Sequence, residues 1–200
     1  MRLLVATHNP GKMEEFRALL APLPAEICFA PDLGLQVSVV EGGQTYEENA
    51  RLKAEAYARA SGLLTLADDS GLEVDALGGV PGIRSARYAL GSDADRVAAL
   101  LNDLDGIPWE QRTARFRCVT AVITGQGELH TAEGTCEGII STTPAGNQGF
   151  GYDPIFYLPE LDRTMAQIPI DVKNRISHRA RAIRAILPIL REQLPPGSIS

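Results

Sequence analysis

The chain has 200 residues and a formal charge of −6. It carries no global positive field that would favour nucleic acid or an anionic membrane, so an anionic ligand would need a local cluster of cations. No apolar run reaches the length of a membrane span, and the N-terminus does not fit a signal peptide. The three cysteines lack metal-binding spacing and are predicted to be reduced thiols. We therefore expect a cytoplasmic protein without a nucleic-acid or membrane partner.

The first predicted strand leads into a loop with anion-binding character. The strand covers Leu3 to Ala6, residues 7–12 form the loop, and an amphipathic helix follows from Met13 to Leu20. Lys12 would add a full charge to the N–H groups at the start of this helix, where an anion is favoured. A plain strand-to-helix connection with a solvated lysine explains the same residues, and the loop is not a Walker A sequence.

The next segment predicts two strands and a long helix. Residues 26–30 and 36–40 have strand character, and Thr45 begins the helix as its N-cap, with Glu48 placed for a capping box and Gly62 past the end. Lys53 lies on this helix, and its spacing alone favours a solvated side chain.

The sequence is organised around the stretch from Leu63 to Asp75. An apolar run typical of a buried strand ends on Asp68 and Asp69, whose charges are costly to bury unless a metal ion or basic side chains lie beside them. Successive side chains of a strand point to opposite faces, so both carboxylates could enter one cleft only if the backbone turned, for example at Gly71. The spacing alone favours the simpler interpretation, a turn between two strands.

The middle of the chain is predicted to contain a helix and a β-hairpin. Ser92 should cap the helix, which ends near Leu104. The predicted strands are residues 113–124, 128–134 and 135–141, with a hairpin turn at residues 126–127.

Two later stretches have unusual composition. In residues 149–154, two glycines frame Phe150, which favours either stacking of the aromatic ring on a flat ligand or a hairpin turn with its aromatics folded onto the core. Ser177 is predicted to cap a helix that opens with several cations, which oppose the helix dipole and are either solvated or held for an anionic partner. Pro188 should bend or interrupt this helix, and the tail after Leu194 is expected to be disordered.

Together these stretches resemble the inosine triphosphate pyrophosphatase family, whose members hydrolyse deaminated purine nucleoside triphosphates to the monophosphate and pyrophosphate. The matching motifs occur in family order from residue 3 to about residue 190. They are Ala6–Lys12, Glu48–Ala50 with Lys53-Ala54, Ala67–Leu72, Gly79–Ile83 with Ser85–Tyr88, Gly149–Pro154 and Ile176–Arg179.

The resemblance implies a role for each matching position. Asp69 would be the general base and a Mg²⁺ ligand, with Glu41 as a further metal ligand, although many relatives carry a second acidic residue where this chain has Val40. The triphosphate would be held by the loop Thr7, His8, Asn9, Pro10, Gly11 and Lys12 together with Lys173, and Ser70 would contact substrate. Phe150 would stack on the purine beside Gly151, Tyr152 and Asp153, and His178 and Arg179 would face the base.

The resemblance also implies the fold and the activity. We expect an α/β protein with a long mixed, twisted sheet flanked by helices, forming one domain over residues 1–200 with two lobes and a nucleotide-binding cleft between them. The expected activity is hydrolysis of inosine, deoxyinosine and xanthosine triphosphates with Mg²⁺, by a homodimer. Two alternatives remain open: a related pyrophosphatase acting on modified pyrimidine triphosphates, and a non-catalytic nucleotide-binding regulator.

Overall fold

The computed structural model describes residues 1–39 and 42–194 and has the predicted α/β architecture, a seven-stranded mixed sheet flanked by helices. The strands are β1 (Arg2–Val5), β2 (Glu26–Phe29), β3 (Leu64–Val74), β4 (Thr113–Ile123), β5 (Leu129–Ile140), β6 (Phe156–Leu158) and β7 (Arg163–Thr164). Their order is β2-β1-β3-β4-β5-β6-β7. β1 pairs in parallel with β2 and β3, whereas β6 pairs antiparallel with β5 and β7.

The helices of the described residues are α1 (Pro10–Leu20), α2 (Tyr46–Ser61), α3 (Asp93–Asp103), α4 (Ile170–Ile176) and α5 (His178–Gln193). Over these residues, no helix is long and apolar enough to cross a membrane.

The chain forms two compact units. Unit 1 contains Met1–Asp69, Cys118–Gly134 and the chain from Arg179 onward, and unit 2 contains Ser70–Arg117 and Thr135–His178. The strands β3, β4 and β5 contribute residues to both.

Unit 1 has a hydrophobic core between its strands and the helices α1 and α5. Buried side chains of β1 and β3, such as Leu3 and Leu66, pack with Phe16 of α1 and Ile183 of α5. Burying such side chains stabilises the fold by about 1.5–3 kcal/mol each. The core thereby fixes the starts of α1 and α5, from which charged side chains extend.

Unit 2 has its own core, built on the continuation of the long strands. Leu72, Phe116 and Phe156 are among its buried side chains, together with Leu100 of α3. Arg112 is buried at the end of this helix, where its guanidinium donates to the carbonyl oxygens of Leu104 at 2.8 Å and Ile107 at 2.9 Å. The first bond satisfies the carbonyl of the C-cap residue of α3, which has no intrahelical partner, and the second satisfies a carbonyl in the loop that follows.

The N-cap residues and the strand patterns in the sequence predicted several elements correctly. The strands β1, β2 and β4 are confirmed, as is α2 with Thr45 as its N-cap, and Ser92 forms a capping box at the start of α3. α1 begins earlier than predicted, because Asn9 accepts a hydrogen bond from the backbone of Lys12 and Pro10 occupies the first helical position.

Three predictions about elements were wrong, and a fourth was wrong in part. Residues 36–39 alternate in exposure but form no strand, and Val40, the last residue of that prediction, lies outside the described residues. β3 is one continuous strand in which Gly71 stays extended, and β5 likewise continues through residues 134–135. Pro188 does not interrupt α5, because the apolar face of this helix is buried in the core of unit 1 on both sides of the proline, and the predicted bend stays a prediction. The predicted disordered tail after Leu194 lies outside the described residues.

Candidate active site

The loop between β1 and α1 is held by short local contacts in unit 1. Asn9 donates its backbone N–H to Thr7 Oγ1 at 3.2 Å and caps α1. The ring Nε2 of His8 lies 2.9 Å from the hydroxyl of Tyr57 in α2. Lys12 stands in the first turn of α1, where its charge and the helix dipole favour an anion. Pro10 has no N–H, and the N–H of Lys12 already donates to Asn9 Oδ1.

The Lys12 ammonium group is paired with Asp68 of β3. Its Nζ lies 2.9 Å from Asp68 Oδ2, and Arg179 donates to the same oxygen at 3.1 Å from the start of α5. The side chain of Asp68 is 1% exposed. Burial alone would raise the pKa of Asp68, but Lys12, Arg179 and Lys53 together hold that pKa well below its ordinary value. Asp68 is therefore an ionised carboxylate whose charge is neutralised by cations.

Asp69, the next residue of β3, has a different environment. Its carboxylate accepts a hydrogen bond at Oδ2 from the neutral side-chain amide of Asn49 at 3.2 Å. Burial raises the pKa of Asp69, although the nearby Lys53 and Lys12 oppose this shift. The two neighbours in sequence are thus separated in acidity, and Asp69 is the one suited to accept a proton.

The helix α2 supports both carboxylate residues. Asn49 and Lys53 are one turn apart, and Lys53 donates to the backbone carbonyl of Asp68 at 3.0 Å while Asn49 holds the Asp69 side chain. Lys53 therefore has a place in the site that its spacing alone did not predict. Ser70, which follows in β3, is half-buried and is the first residue of unit 2.

A second group of predicted residues lies together in unit 2. Asp153 accepts a hydrogen bond from the backbone N–H of Phe150 at 2.9 Å and forms an ion pair with Lys173 of α4. The Lys173 Nζ also lies 4.9 Å from the centroid of the Phe150 ring. Gly149 permits this packing, since a Cβ there would lie 2.0 Å from Asp153 Oδ2. The loop that presents Phe150 is thus fixed by a buried ion pair.

Further contacts in unit 2 occupy the polar groups of this loop. The N–H of Gly151 donates to Asp93 at 2.7 Å, and the Tyr152 hydroxyl donates to the carbonyl of Ser85 at 3.0 Å. The interpretation of residues 149–154 as aromatics folded onto the core holds for Tyr152, which is 5% exposed, whereas Phe150 is half-buried.

The predicted residues Lys173, His178 and Arg179 differ in their surroundings. Lys173 was expected to bind the triphosphate, and a phosphate there would compete with Asp153 for its ammonium group. The His178 ring stacks on Phe116 in unit 2, with centroids 4.8 Å apart. Arg179 belongs to unit 1, where its fully buried guanidinium pairs with Asp68 and Glu15. These contacts favour a role for Arg179 in supporting Asp68 over a direct contact with a base.

Several supporting residues of the site were not predicted from the sequence. Glu15 is buried in α1 and pairs with Arg179. Its spacing of three from Lys12, which places the two residues on one side of α1, was the available signal. Asn49 and Asp93 were not identified as partners of the site residues. The signal that could have identified Asn49 is a polar residue at a position that the helical period places on the buried face of α2.

The described residues contain no group of three or more His, Cys, Asp or Glu side chains arranged to hold a metal ion. Glu41, the expected second metal ligand, lies outside the described residues. Asp69 supplies hard carboxylate oxygen, the donor type that Mg²⁺ takes from proteins.

Lys12 lies at a helix start beside the buried carboxylate of Asp68, and the next residue, Asp69, has a contrasting environment. This arrangement in an α/β fold equips the protein for chemistry on a phosphorylated ligand. The chain belongs to the Ham1 family, whose family model matches residues 3–189.

Curated relatives and solved structures agree with this assignment. The chain is 47% identical over 189 residues to the dITP/XTP pyrophosphatase of Bacillus subtilis, an alignment that covers 94% of this chain and 96% of the relative. It is 50% identical to the dITP/XTP pyrophosphatase of Geobacillus kaustophilus, with 90% of each chain covered. Among solved structures, the Staphylococcus aureus Ham1 protein matches with a TM-score of 0.85 and 41% identity, covering 97% of this chain and 100% of that one.

Proposed function

We propose that this chain hydrolyses deaminated purine nucleoside triphosphates, such as deoxyinosine and xanthosine triphosphates, to the monophosphate and pyrophosphate. The names of the Bacillus and Geobacillus relatives support the substrate class. The observation that carries the proposal is the contrast between Asp68, which is neutralised by cations, and Asp69, which has a neutral partner.

Asp69 acts as the general base in this proposal. It accepts a proton from the attacking water, whose oxygen forms a bond to the α-phosphorus while the bond from that phosphorus to the bridging oxygen breaks. Pyrophosphate then leaves with the electron pair of the broken bond. A positioned general base contributes about a hundred- to ten-thousandfold to such a rate.

The loop 7–12 and Lys12 hold the phosphates. A triphosphate carries several negative charges, which need cations and N–H donors to approach a carboxylate. The start of α1 offers the charge of Lys12 and the helix dipole, and Lys12 can be shared between Asp68 and a phosphate oxygen because its side chain is 17% exposed.

We further propose that Mg²⁺ is held by Asp69 and Glu41. The carboxylate oxygens of Asp69 fit this ion, and Asn49 occupies one of them. Bound Mg²⁺ would neutralise charge on the phosphate oxygens. Ser70 would contact the substrate beside Asp69.

The group in unit 2 is proposed to contact the base. Phe150 would stack on the purine, with Tyr152, Asp153 and Lys173 fixing the loop that carries it. Gly151 contributes its backbone to that loop, and His178 is proposed to face the base from its position on Phe116.

The proposal also includes a homodimer in solution, which sedimentation equilibrium would detect.

A panel of triphosphates tests the activity. Deoxyinosine, inosine and xanthosine triphosphates should release pyrophosphate with Mg²⁺ at a much higher kcat/KM than ATP, GTP or thymidine triphosphate. The product must be pyrophosphate, so inorganic phosphate should appear only after a pyrophosphatase is added. A preference for thymidine or modified pyrimidine triphosphates would replace the proposed substrate class, and tight binding without turnover would indicate a regulator.

Replacing Phe150 by Ala tests the stacking role. We expect the transition-state stabilisation calculated from kcat/KM to fall by about 1–3 kcal/mol for every purine triphosphate alike, since all purines share a π-face. Phe150→Tyr, which keeps an aromatic ring, is the matched control and should stay close to the unmodified protein. A loss confined to one base, or equal losses in both variants, would contradict stacking by Phe150.

A further inference from the structure

Asn49 is a buried polar side chain whose amide is used at both ends. It is 1% exposed, and its Nδ2 donates to Asp69 Oδ2 at 3.2 Å. Its Oδ1 accepts a hydrogen bond from the backbone N–H of Gly43 at 2.9 Å. Because the N–H of Gly43 can only donate, the amide oxygen must face Gly43 and the amide nitrogen must face Asp69. The orientation of this side chain is therefore fixed by its two partners.

The backbone before α2 is shaped to receive this side chain. A Cβ at residue 43 would lie 2.7 Å from Asn49 Oδ1, so glycine is required for the close approach. The next N–H, that of Gln44, donates to Glu48 Oε2 at 2.6 Å. Two successive backbone N–H groups are thus held by side chains of α2, two residues after Glu41 in the sequence.

We propose that Asn49 is a positioning residue for the reaction: it orients the carboxylate of Asp69 and couples it to the backbone at Gly43. The amide holds Oδ2 of Asp69 and leaves Oδ1 for the reacting groups. This inference rests on the proposed function for its catalytic meaning, and it adds a residue to which no role in the site was assigned.

The choice of a neutral amide has a physical reason. A lysine or arginine at this position would neutralise Asp69, as Lys12 and Arg179 neutralise Asp68. An amide orients the carboxylate and leaves its charge available to a divalent cation. Groups that orient a metal ligand in this way change metal affinity or activity by about ten- to a hundredfold when they are replaced.

Two variants of Asn49 distinguish its hydrogen bond with Asp69 from its hydrogen bond with Gly43. Asn49→Ala removes both, whereas Asn49→Asp keeps an acceptor for Gly43 and loses the donor to Asp69. We expect kcat to fall by about ten- to a hundredfold in both variants, with KM changed less than about threefold. Thr45→Ala is the matched control, because Thr45 caps the same helix through the N–H of Glu48 and does not contact Asp69.

A second measurement is independent of turnover. Mn²⁺ binding to each protein without nucleotide, followed by the electron paramagnetic resonance of the free ion, should be weakened about tenfold by Asn49→Ala and unchanged by Thr45→Ala. The control is expected to lower the thermal midpoint while keeping kcat and Mn²⁺ affinity, which separates positioning from loss of helix stability.

The outcomes discriminate between the possible roles. Unchanged kcat in Asn49→Asp would overturn the inference, because the bond to Gly43 would then be sufficient. Equal losses of kcat in Asn49→Ala and Thr45→Ala would also overturn it, since both would follow from a weakened helix start. Weakened Mn²⁺ binding by Asn49→Ala, beside an unmodified protein that hydrolyses no triphosphate, would support the role of Asn49 and overturn the proposed function alone.

Discussion

Asp69→Asn is expected to lower kcat by about a hundredfold or more, which is the effect of losing a general base. The substitution keeps the size of the side chain and an oxygen that can accept the hydrogen bond from Asn49. It removes the basicity and the negative charge. The measurement is kcat with deoxyinosine triphosphate at saturating substrate and Mg²⁺, so that weakened binding does not contribute.

Glu73→Gln provides the matched control for this variant. Glu73 lies four residues further along β3 and pairs with Arg115 and Arg117. Its neutralisation should leave kcat within about twofold and cost about 1 kcal/mol of stability, since these ion pairs are partly exposed. Retention of more than a third of kcat by a folded Asp69→Asn protein would end the assignment of Asp69 as base.

The elements with local signals could be predicted from the sequence. Thr45 and Ser92 cap helices because their side chains accept hydrogen bonds from backbone N–H groups three residues on, a purely local interaction. The alternation in residues 113–124 likewise identified β4, because burial alternates in the first half of that strand, and both faces are buried from Cys118 onward.

The predictions failed where long-range pairing decides the structure. The run Asp68-Asp69-Ser70-Gly71 has the composition of a turn, and yet it continues as β3 because Lys12, Arg179 and Asn49 stabilise its carboxylates. Residues 36–39 show the opposite case, since alternation in exposure produces no strand without a neighbouring strand to pair with.

The motifs predicted Asp69, Lys12 and Phe150 as site residues, and these roles stay predictions. The structure adds which groups lie beside each of them, and those partners were harder to predict. No pattern in the sequence shows that Lys173 pairs with Asp153, or that Arg179 pairs with Glu15, because these contacts join segments 20 and 164 residues apart. The first pair depends on packing within unit 2, and the second depends on the packing of α1 and α5 in the core of unit 1.

Arg179→Met is expected to destabilise the protein by about 3–5 kcal/mol, the range for removing one partner of a buried ion pair. Arg179 is 1% exposed, and its guanidinium pairs with the buried carboxylates of Glu15 and Asp68. Methionine fills much of the volume, so the loss arises from leaving two buried carboxylates with less neutralising charge. The free energy of unfolding in urea, measured without nucleotide, gives the effect.

Arg175→Met is the matched control, because this arginine is four residues away and pairs with Asp171, with both side chains 67% exposed. Its replacement should change the free energy of unfolding by less than about 0.5 kcal/mol. Adding Glu15→Gln to Arg179→Met should recover part of the loss, since one of the unneutralised carboxylates is removed.

The effect of Arg179→Met should also depend on pH. The pKa of Asp68 in the folded protein is held below its unfolded value of about 3.9, so its ion pairs contribute stability above that pH and lose it as the pH falls further. The difference between the unmodified protein and Arg179→Met should therefore shrink as the pH falls below about 4. A folded Arg179→Met protein of unchanged stability, with its kcat/KM reduced only for deaminated purines, would instead assign Arg179 to contact with the base. That result would require the guanidinium to leave Glu15 and Asp68 when the nucleotide binds.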